Sequence, residues 1–249
     1  MIMIREALIT AVLIGWCAGS APAQWELPKN LPPAEYGTVL INRTAEQNNV
    51  KPVVFSHAVH RSKHTCRVCH FELEFNFKTN TTGITEAANK AGRYCGAPGC
   101  HDGKVAFGHD RQNCQRCHAG TRASDTKTAS VLAPLPKDRF GNGVNWVAAL
   151  EKGIIRPATQ LTLPQADLSF DSKLLLEAEW RNIPPAVFPH RSHVAWLDCN
   201  NCHPDIFNIK KKTTKHFAMV RILKGEFCGV CHLTVAFPMD DCKRCHPKK

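Results

Sequence analysis

Beyond a short leader, the 249-residue chain has no apolar run long enough to span a bilayer as a helix, so no transmembrane helix is expected in the mature protein. The leader, 1–23, reads as a secretory signal. Arg5 supplies the charge of its n-region, Ala7 to Trp16 its apolar run, and Ala21-Pro22-Ala23 the small-x-small pattern ahead of a cut near Gln24. Bulky Trp16 argues against lipid attachment at Cys17. The mature chain is therefore expected outside the cytoplasm, in the periplasm. Unattached cysteine is also missing. Of 13 cysteines only Cys17 stands apart, and it lies in the leader, so no mature thiol is left over. The stretch 119–187 has neither cysteine nor histidine, so metal-ligand chemistry is confined to the segments on either side.

What is present instead is a repeated triplet. Twelve cysteines form six pairs, and each pair is followed at once by a histidine. Five copies are regular: Cys66-Arg-Val-Cys69-His70, Cys114-Gln-Arg-Cys117-His118, Cys199-Asn-Asn-Cys202-His203, Cys228-Gly-Val-Cys231-His232 and Cys242-Lys-Arg-Cys245-His246. The sixth, Cys95-Gly-Ala-Pro-Gly-Cys100-His101, holds two extra residues, and its Pro and Gly allow a bulge that keeps both sulfurs in reach. Cys-x-x-Cys-His is the attachment signature of c-type haem. The two thiols add across the porphyrin vinyl groups, which lie on one edge of the macrocycle, and the adjacent imidazole is placed under the iron. Zinc ribbons also use Cys-x-x-Cys, but they need four-ligand sets and give no reason for a histidine after every second cysteine. Six covalent haem c groups are thus expected, with His70, His101, His118, His203, His232 and His246 as proximal ligands. Attachment of haem after export agrees with the leader.

The formal net charge of +11 suggests a nucleic-acid or anionic partner, until the cofactors are included. Six haems carry twelve propionates, and the balance becomes about +5 oxidised and about −1 reduced. No nucleic-acid partner follows.

Shifted by 133 positions, the two halves of the chain superimpose. Phe55-Ser-His57-Ala-Val-His60 meets Phe188-Pro-His190-Arg-Ser-His193, Cys66 meets Cys199, and Cys95 meets Cys228. The expanded motif stands where its twin has a regular one, which marks it as a true haem site. The expected organisation is an irregular N-terminal segment at 24–54, a three-haem module at 55–118, a connecting segment at 119–187 and a second three-haem module at 188–249. A module of about 60 residues cannot bury a conventional core. The fold class expected is mostly irregular with short α-helices, the haems acting as the core. In the connection, Trp146 to Leu150 and Leu174 to Trp180 read as short helices. The remainder, including polar Thr121 to Ser130, reads as extended. Phe140, Ile154, Ile155, Leu161, Leu163 and Phe170 are expected to pack against haem faces.

A six-coordinate iron takes a second strong ligand, His or Met. The pairs His57/His60 and His190/His193 recur at i and i+3 after Phe, and two imidazoles at that spacing serve two neighbouring haems. The third haem of each module is less determined. Met219 and His216 are the candidates in the second half, with Met239 further back. In the first half they are His109 and His64. Met219 aligns with Glu86 and His109 with Met239, so either the halves differ or both use the Val-Ala-Phe region. Met219 and His109 are preferred. Bis-His ligation gives low potentials and Met raises them, so such a set would be staggered.

Phe-x-His-x-x-His followed by three Cys/His motifs in about 60 residues resembles the three-haem cytochrome c7-type module of the wider c3-type superfamily, over 55–118 and 188–246. Ile222-Leu-Lys-Gly-Glu-Phe-Cys228-Gly-Val-Cys231-His232, continuing to Val235-Ala-Phe237, is similar to the version strung in tandem in larger multihaem cytochromes. In that family the histidines corresponding to His57, His60, His190 and His193 are distal ligands, and some tandem members use Met for the third haem, as proposed for Met219. The resemblance implies periplasmic electron transfer, often towards extracellular acceptors such as metal oxides. Partners would be a quinol-oxidising membrane cytochrome and a terminal reductase or outer-membrane conduit. Two other readings are compatible with the motifs: a multihaem oxyanion reductase, and a haem subunit of a larger respiratory or porin–cytochrome complex. A reductase needs an open iron position and often Lys in place of the proximal His, whereas every motif here ends in His. Copurification of a partner would separate the subunit from the free carrier.

Overall fold

The computed structural model describes residues 26–122, 126–165, 170–179, 182–210 and 213–247; the leader and Trp180 lie outside them. Two short antiparallel strand pairs introduce the two modules. Strand β1 (Thr38–Ile41) pairs with β2 (Val53–Ser56), Thr38 opposite Ser56. Strand β3 (Lys173–Leu176) pairs with β4 (Ala186–Pro189), Lys173 opposite Pro189. The helices are single turns or little more. In the first module they are α1 (His57–Arg61), α2 (Glu86–Lys90) and α3 (Cys114–Cys117). The connection carries α4 (Thr126–Leu132) and α5 (Trp146–Glu151). The second module carries α6 (His190–Val194), α7 (Met219–Ile222), α8 (Gly229–His232) and α9 (Cys242–Cys245). A π-helical turn, Val68–Glu72, holds the end of the first attachment motif. Among the described residues no helix is long and apolar enough to cross a membrane.

Three local expectations differ from what is found. The segment 24–54 was expected to be irregular, yet it contributes β1 and the start of β2. Leu174 to Leu176, expected to begin a helix, lie in a strand. In both places a strand partner ten or more residues away supplies the backbone hydrogen bonds, which outweighs a weak local propensity. The stretch Thr126 to Ser130, expected to be extended, lies within α4.

The largest cluster of buried apolar side chains belongs to the connection. Leu135, Val144, Trp146, Ala149 and Ile155 pack with Ala58 of α1 and Trp196 of the second module, and Cys66 lies against them. The connection thus acts as a wedge between modules. Of its six apolar residues expected to pack on haem faces, Ile155 is in this cluster, whereas Ile154, Leu163 and Phe170 are exposed. Helix α5 ends where the amides of both Ile154 and Ile155 donate to the Ala149 carbonyl, and that tight turn sends one side chain in and the other out.

A second tie is polar. The buried Arg67 guanidinium contacts Glu72, Asp198 at 3.2 Å and the Thr159 carbonyl at 3.0 Å. The Glu72 carboxylate also accepts from the backbone amides of Leu161, Thr162 and Leu163 at 2.9–3.2 Å. The Arg67 amide donates to the Trp196 carbonyl at 2.9 Å. One ion cluster therefore joins module one, the connection and module two.

Candidate functional site

None of the twelve motif cysteines is paired in a disulfide. Among the described residues no three His, Cys, Asp or Glu side chains converge where a bare metal ion could sit. The pairs are instead spread along short turns, each aligned with its histidine. In four regular motifs the histidine amide donates to the carbonyl of the first cysteine: His118 to Cys114 at 2.9 Å, His203 to Cys199 at 2.9 Å, His232 to Cys228 at 3.0 Å and His246 to Cys242 at 2.8 Å. The expanded motif keeps that bond, His101 to Cys95 at 2.9 Å. Its extra residues leave the line as a turn, in which the Cys100 amide donates to the Ala97 carbonyl and Gly99 sits at φ +86°. Pro at the second position and a positive-φ Gly at the third are the demands of a type II turn. The insertion is looped out, and the relation of Cys95 to His101 stays that of a regular site.

Gly96 and Gly229 occupy matching positions after the first cysteine, and both are required for space. A Cβ on either would lie 1.8 Å from the Asn89 carbonyl oxygen or 1.9 Å from that of Ile222, the last turns of α2 and α7. The sequence repeat is therefore a repeat of packing.

The histidines divide by one hydrogen bond. Ten place Nδ1 beside a backbone carbonyl, which can only accept, so Nδ1 carries the proton and Nε2 keeps its lone pair. For the histidines of the six Cys/His motifs the acceptors are Phe75 for His70, Phe107 for His101, Lys51 for His118, Phe207 for His203, Phe237 for His232 and Pro184 for His246, at 2.6–3.1 Å. For the Phe-x-His-x-x-His set they are Gly37 for His57, Ser56 for His60, Ser172 for His190 and Pro189 for His193, at 2.8–3.0 Å. Burial lowers the pKa of His57, His60 and His232 to about 4 against those carbonyl bonds, leaving them neutral. Phe55 stacks on His60 at 4.3 Å and meets His57 edge-on at 4.8 Å; Phe188 does the same to His193 at 4.3 Å and His190 at 4.9 Å. One ring thus orients two imidazoles.

Two imidazole pairs face each other across a gap. The ring centres of His60 and His101 are 6.1 Å apart, and those of His193 and His232 are 6.2 Å apart. A metal held between two imidazole nitrogens, at about 2 Å from each, separates ring centres by about 6.4 Å. His57 lies near His70, whose charge helps to lower its pKa. The His60/His101 and His193/His232 pairs are spaced to fit a haem iron between them.

The sulfurs also show how the motifs follow one another. Burial pushes Cys69 up to about 12, with Cys100 and Cys95 adding to the shift, and Cys95 likewise, with Cys117 and Cys100 adding. In the second module Cys228 rises to about 12 by burial, with Cys245 and Cys202 adding. Cys231 rises to about 12 by burial, helped first by Cys66 and then by Cys202. The expanded motif therefore sits between the other two of its module, and Cys228–Cys231 holds the same middle place in its own. The modules meet beside Cys66, where the Arg67 amide bonds the Trp196 carbonyl and Cys231 lies within electrostatic reach.

The remaining candidates do not follow the ten. His109 is half-buried, with Nε2 enclosed and without a hydrogen-bond partner. The Glu86 carboxyl is held below its usual range by Lys90, with smaller contributions from His109 and His118, so these groups share a neighbourhood. His64 lies apart, bridged through its backbone to Ala158 of the connection, with Nδ1 enclosed and unpartnered. His216 is exposed at φ 58°. Met219 is half-buried at the start of α7, its amide donating to Glu179 at 3.2 Å. Sequence reasoning named Phe55 and Phe188 as pattern without a role. It missed the carbonyl acceptors altogether, since Lys51, Pro184, Gly37 and Ser172 carry no side-chain signal.

Serial Cys/His turns, imidazoles with Nε2 kept free, and two facing pairs at an iron-spanning distance define a multihaem c-type cytochrome. The chain belongs to the family of cytochrome c7 and related cytochrome c, whose profile matches residues 53–119 and 186–247, and the family is one of electron-transfer proteins. Among solved structures the chain is similar to the C-terminal hexaheme fragment of GSU1996, at 26% identity over 88% of this chain and 99% of that one, with a TM-score of 0.28. It is also similar to the whole dodecaheme cytochrome c GSU1996, at 25% identity over 85% of this chain and 74% of that one, with a TM-score of 0.28. No protein with a curated description matches.

Proposed function

We propose that this chain carries six covalent haems in two modules, 55–118 and 188–249, and passes electrons along them outside the cytoplasm, between a donor at the inner membrane and an acceptor further out. The haem supplies reversible one-electron exchange at iron when bound. The protein supplies attachment at the six Cys pairs and holds His70, His101, His118, His203, His232 and His246 by their Nδ1–H bonds, so that each Nε2 faces one way only. His57, His60, His190 and His193 take the opposite faces of four haems. His109 completes the site of His118, and Met219 that of His246. The facing of His60 with His101, matched by His193 with His232, carries this reading.

The physiological partners implied are a quinol-oxidising membrane cytochrome and a terminal reductase or outer-membrane conduit, with metal oxides as a class of final acceptor. A leader that reads as secretory in sequence and the extracytoplasmic habit of c-type cytochromes support that placement. A spectroelectrochemical titration with electron counting tests the reading. Six electrons per chain and no carbon monoxide complex in the reduced protein are expected. Fewer electrons would overturn the six-haem count, and a haem that binds carbon monoxide would overturn the closed carrier in favour of an open catalytic iron.

A further inference from the structure

Helix α1 ends at Arg61, one residue beyond His60. The Arg61 guanidinium carbon lies 4.3 Å from the centre of the Trp196 ring and 4.9 Å from that of Trp146. Both indoles belong to the buried cluster, one from the connection and one from the second module. A cation of the first module is therefore gripped by the two other parts of the chain. Its Nε is enclosed without a hydrogen-bond partner, and among the described residues no ion pair involves it. Burial pulls its pKa down, yet a guanidinium starts high enough to remain charged. The sulfurs within its electrostatic reach are those of Cys66 and Cys231, at the meeting point of the two modules.

A cation in a poorly solvated site acts strongly at short range and is little screened by salt. Placed beside an iron that changes by one charge, it favours the reduced state. We propose that Arg61 is a fixed positive charge at the crossing between modules, raising the electron affinity of the haems attached at Cys66–Cys69 and at Cys228–Cys231. Electrons then dwell at the junction, where either module can supply or withdraw them. Cation–π contact with Trp146 and Trp196 offsets part of the cost of desolvating the cation. This inference rests on the six-haem reading, and the haem count is measured separately from the potentials.

The test is a haem-resolved redox titration by NMR on the full haem-loaded chain, comparing Arg61→Met, which keeps an unbranched side chain between the indoles, with Arg61→Lys, which keeps the charge. In Arg61→Met the two junction haems are expected to lose about tenfold in the ratio of reduced to oxidised iron at fixed potential, equivalent to about 59 mV, while the other four move less. Arg61→Lys should retain most of the native values. An equal shift at all six haems, no shift at the junction pair, or Lys behaving as Met would overturn the proposal. A measurement on the native protein does not depend on the variants folding. Raising the ionic strength should move the junction potentials least. If they move as far as those of the outlying haems, the charge is not the enclosed one.

Discussion

Replacing Glu72 by alanine should release the connection from the first module. The carboxylate accepts from three consecutive amides, Leu161, Thr162 and Leu163, and meets the buried Arg67 guanidinium. Breaking a buried ion pair by removing one partner costs about 3–5 kcal/mol, because the other charge is stranded. Arg67 retains Asp198 and the Thr159 carbonyl, and water can replace the acceptor for the exposed Thr162 and Leu163 amides, so the lower figure applies. A local loss of about 3 kcal/mol corresponds to roughly a hundredfold fall in protection, at about 1.4 kcal/mol per tenfold change. Hydrogen exchange on the haem-loaded protein reads this directly. The amides of 161–163 should exchange roughly a hundredfold faster in Glu72→Ala, and less fast in Glu72→Gln, which keeps one acceptor oxygen. Unchanged protection at those three amides, or an even loss throughout the chain, would refute the reasoning.

Other consequences are as specific. Gly96→Ala or Gly229→Ala puts a Cβ within 2 Å of a backbone oxygen and should destabilise the protein by about 1–3 kcal/mol or more, seen as a lowered midpoint in thermal unfolding; an unchanged midpoint would contradict the packing described. Phe55→Leu removes the ring stacked on His60 and should cost about 0.5–1.5 kcal/mol beyond lost area, seen in denaturant midpoints, with an effect additive to that of Phe188→Leu in the other module. His109→Ala should create a high-spin, carbon monoxide-binding haem detectable by EPR and absorption, whereas His64→Ala should not; the reverse pattern would transfer the ligand to His64.

How much of this was legible beforehand depends on how local each feature is. The attachment motifs are contiguous in sequence, and the chemistry of two thiols and an imidazole on one turn follows from spacing alone. The looped-out insertion at Ala97-Pro98-Gly99-Cys100 was also legible, because Pro fixes its own φ and Gly admits the positive φ the turn requires. The strands at 38–41 and 173–176 were not, since short strands are set by a partner and not by their own pattern. The carbonyls that orient the imidazoles were hidden for the same reason. Lys51 and Pro184 act through backbone oxygens 67 and 62 residues from the histidines they hold. Arg61, Arg67 and Glu72 look like ordinary surface charges in sequence. Their roles exist only once the connection has folded back between the modules. Sequence favoured His109 over His64 only by alignment, because the physical difference lies in which neighbours each one meets.

The account stands most directly on the number of haems bound. Intact mass of the purified, exported chain, with peptide mapping across Cys95 to His101, should give six covalently added haems and place one of them on Cys95 and Cys100. A chain lacking haem at that expanded motif, or one carrying no covalent haem at all, would contradict it.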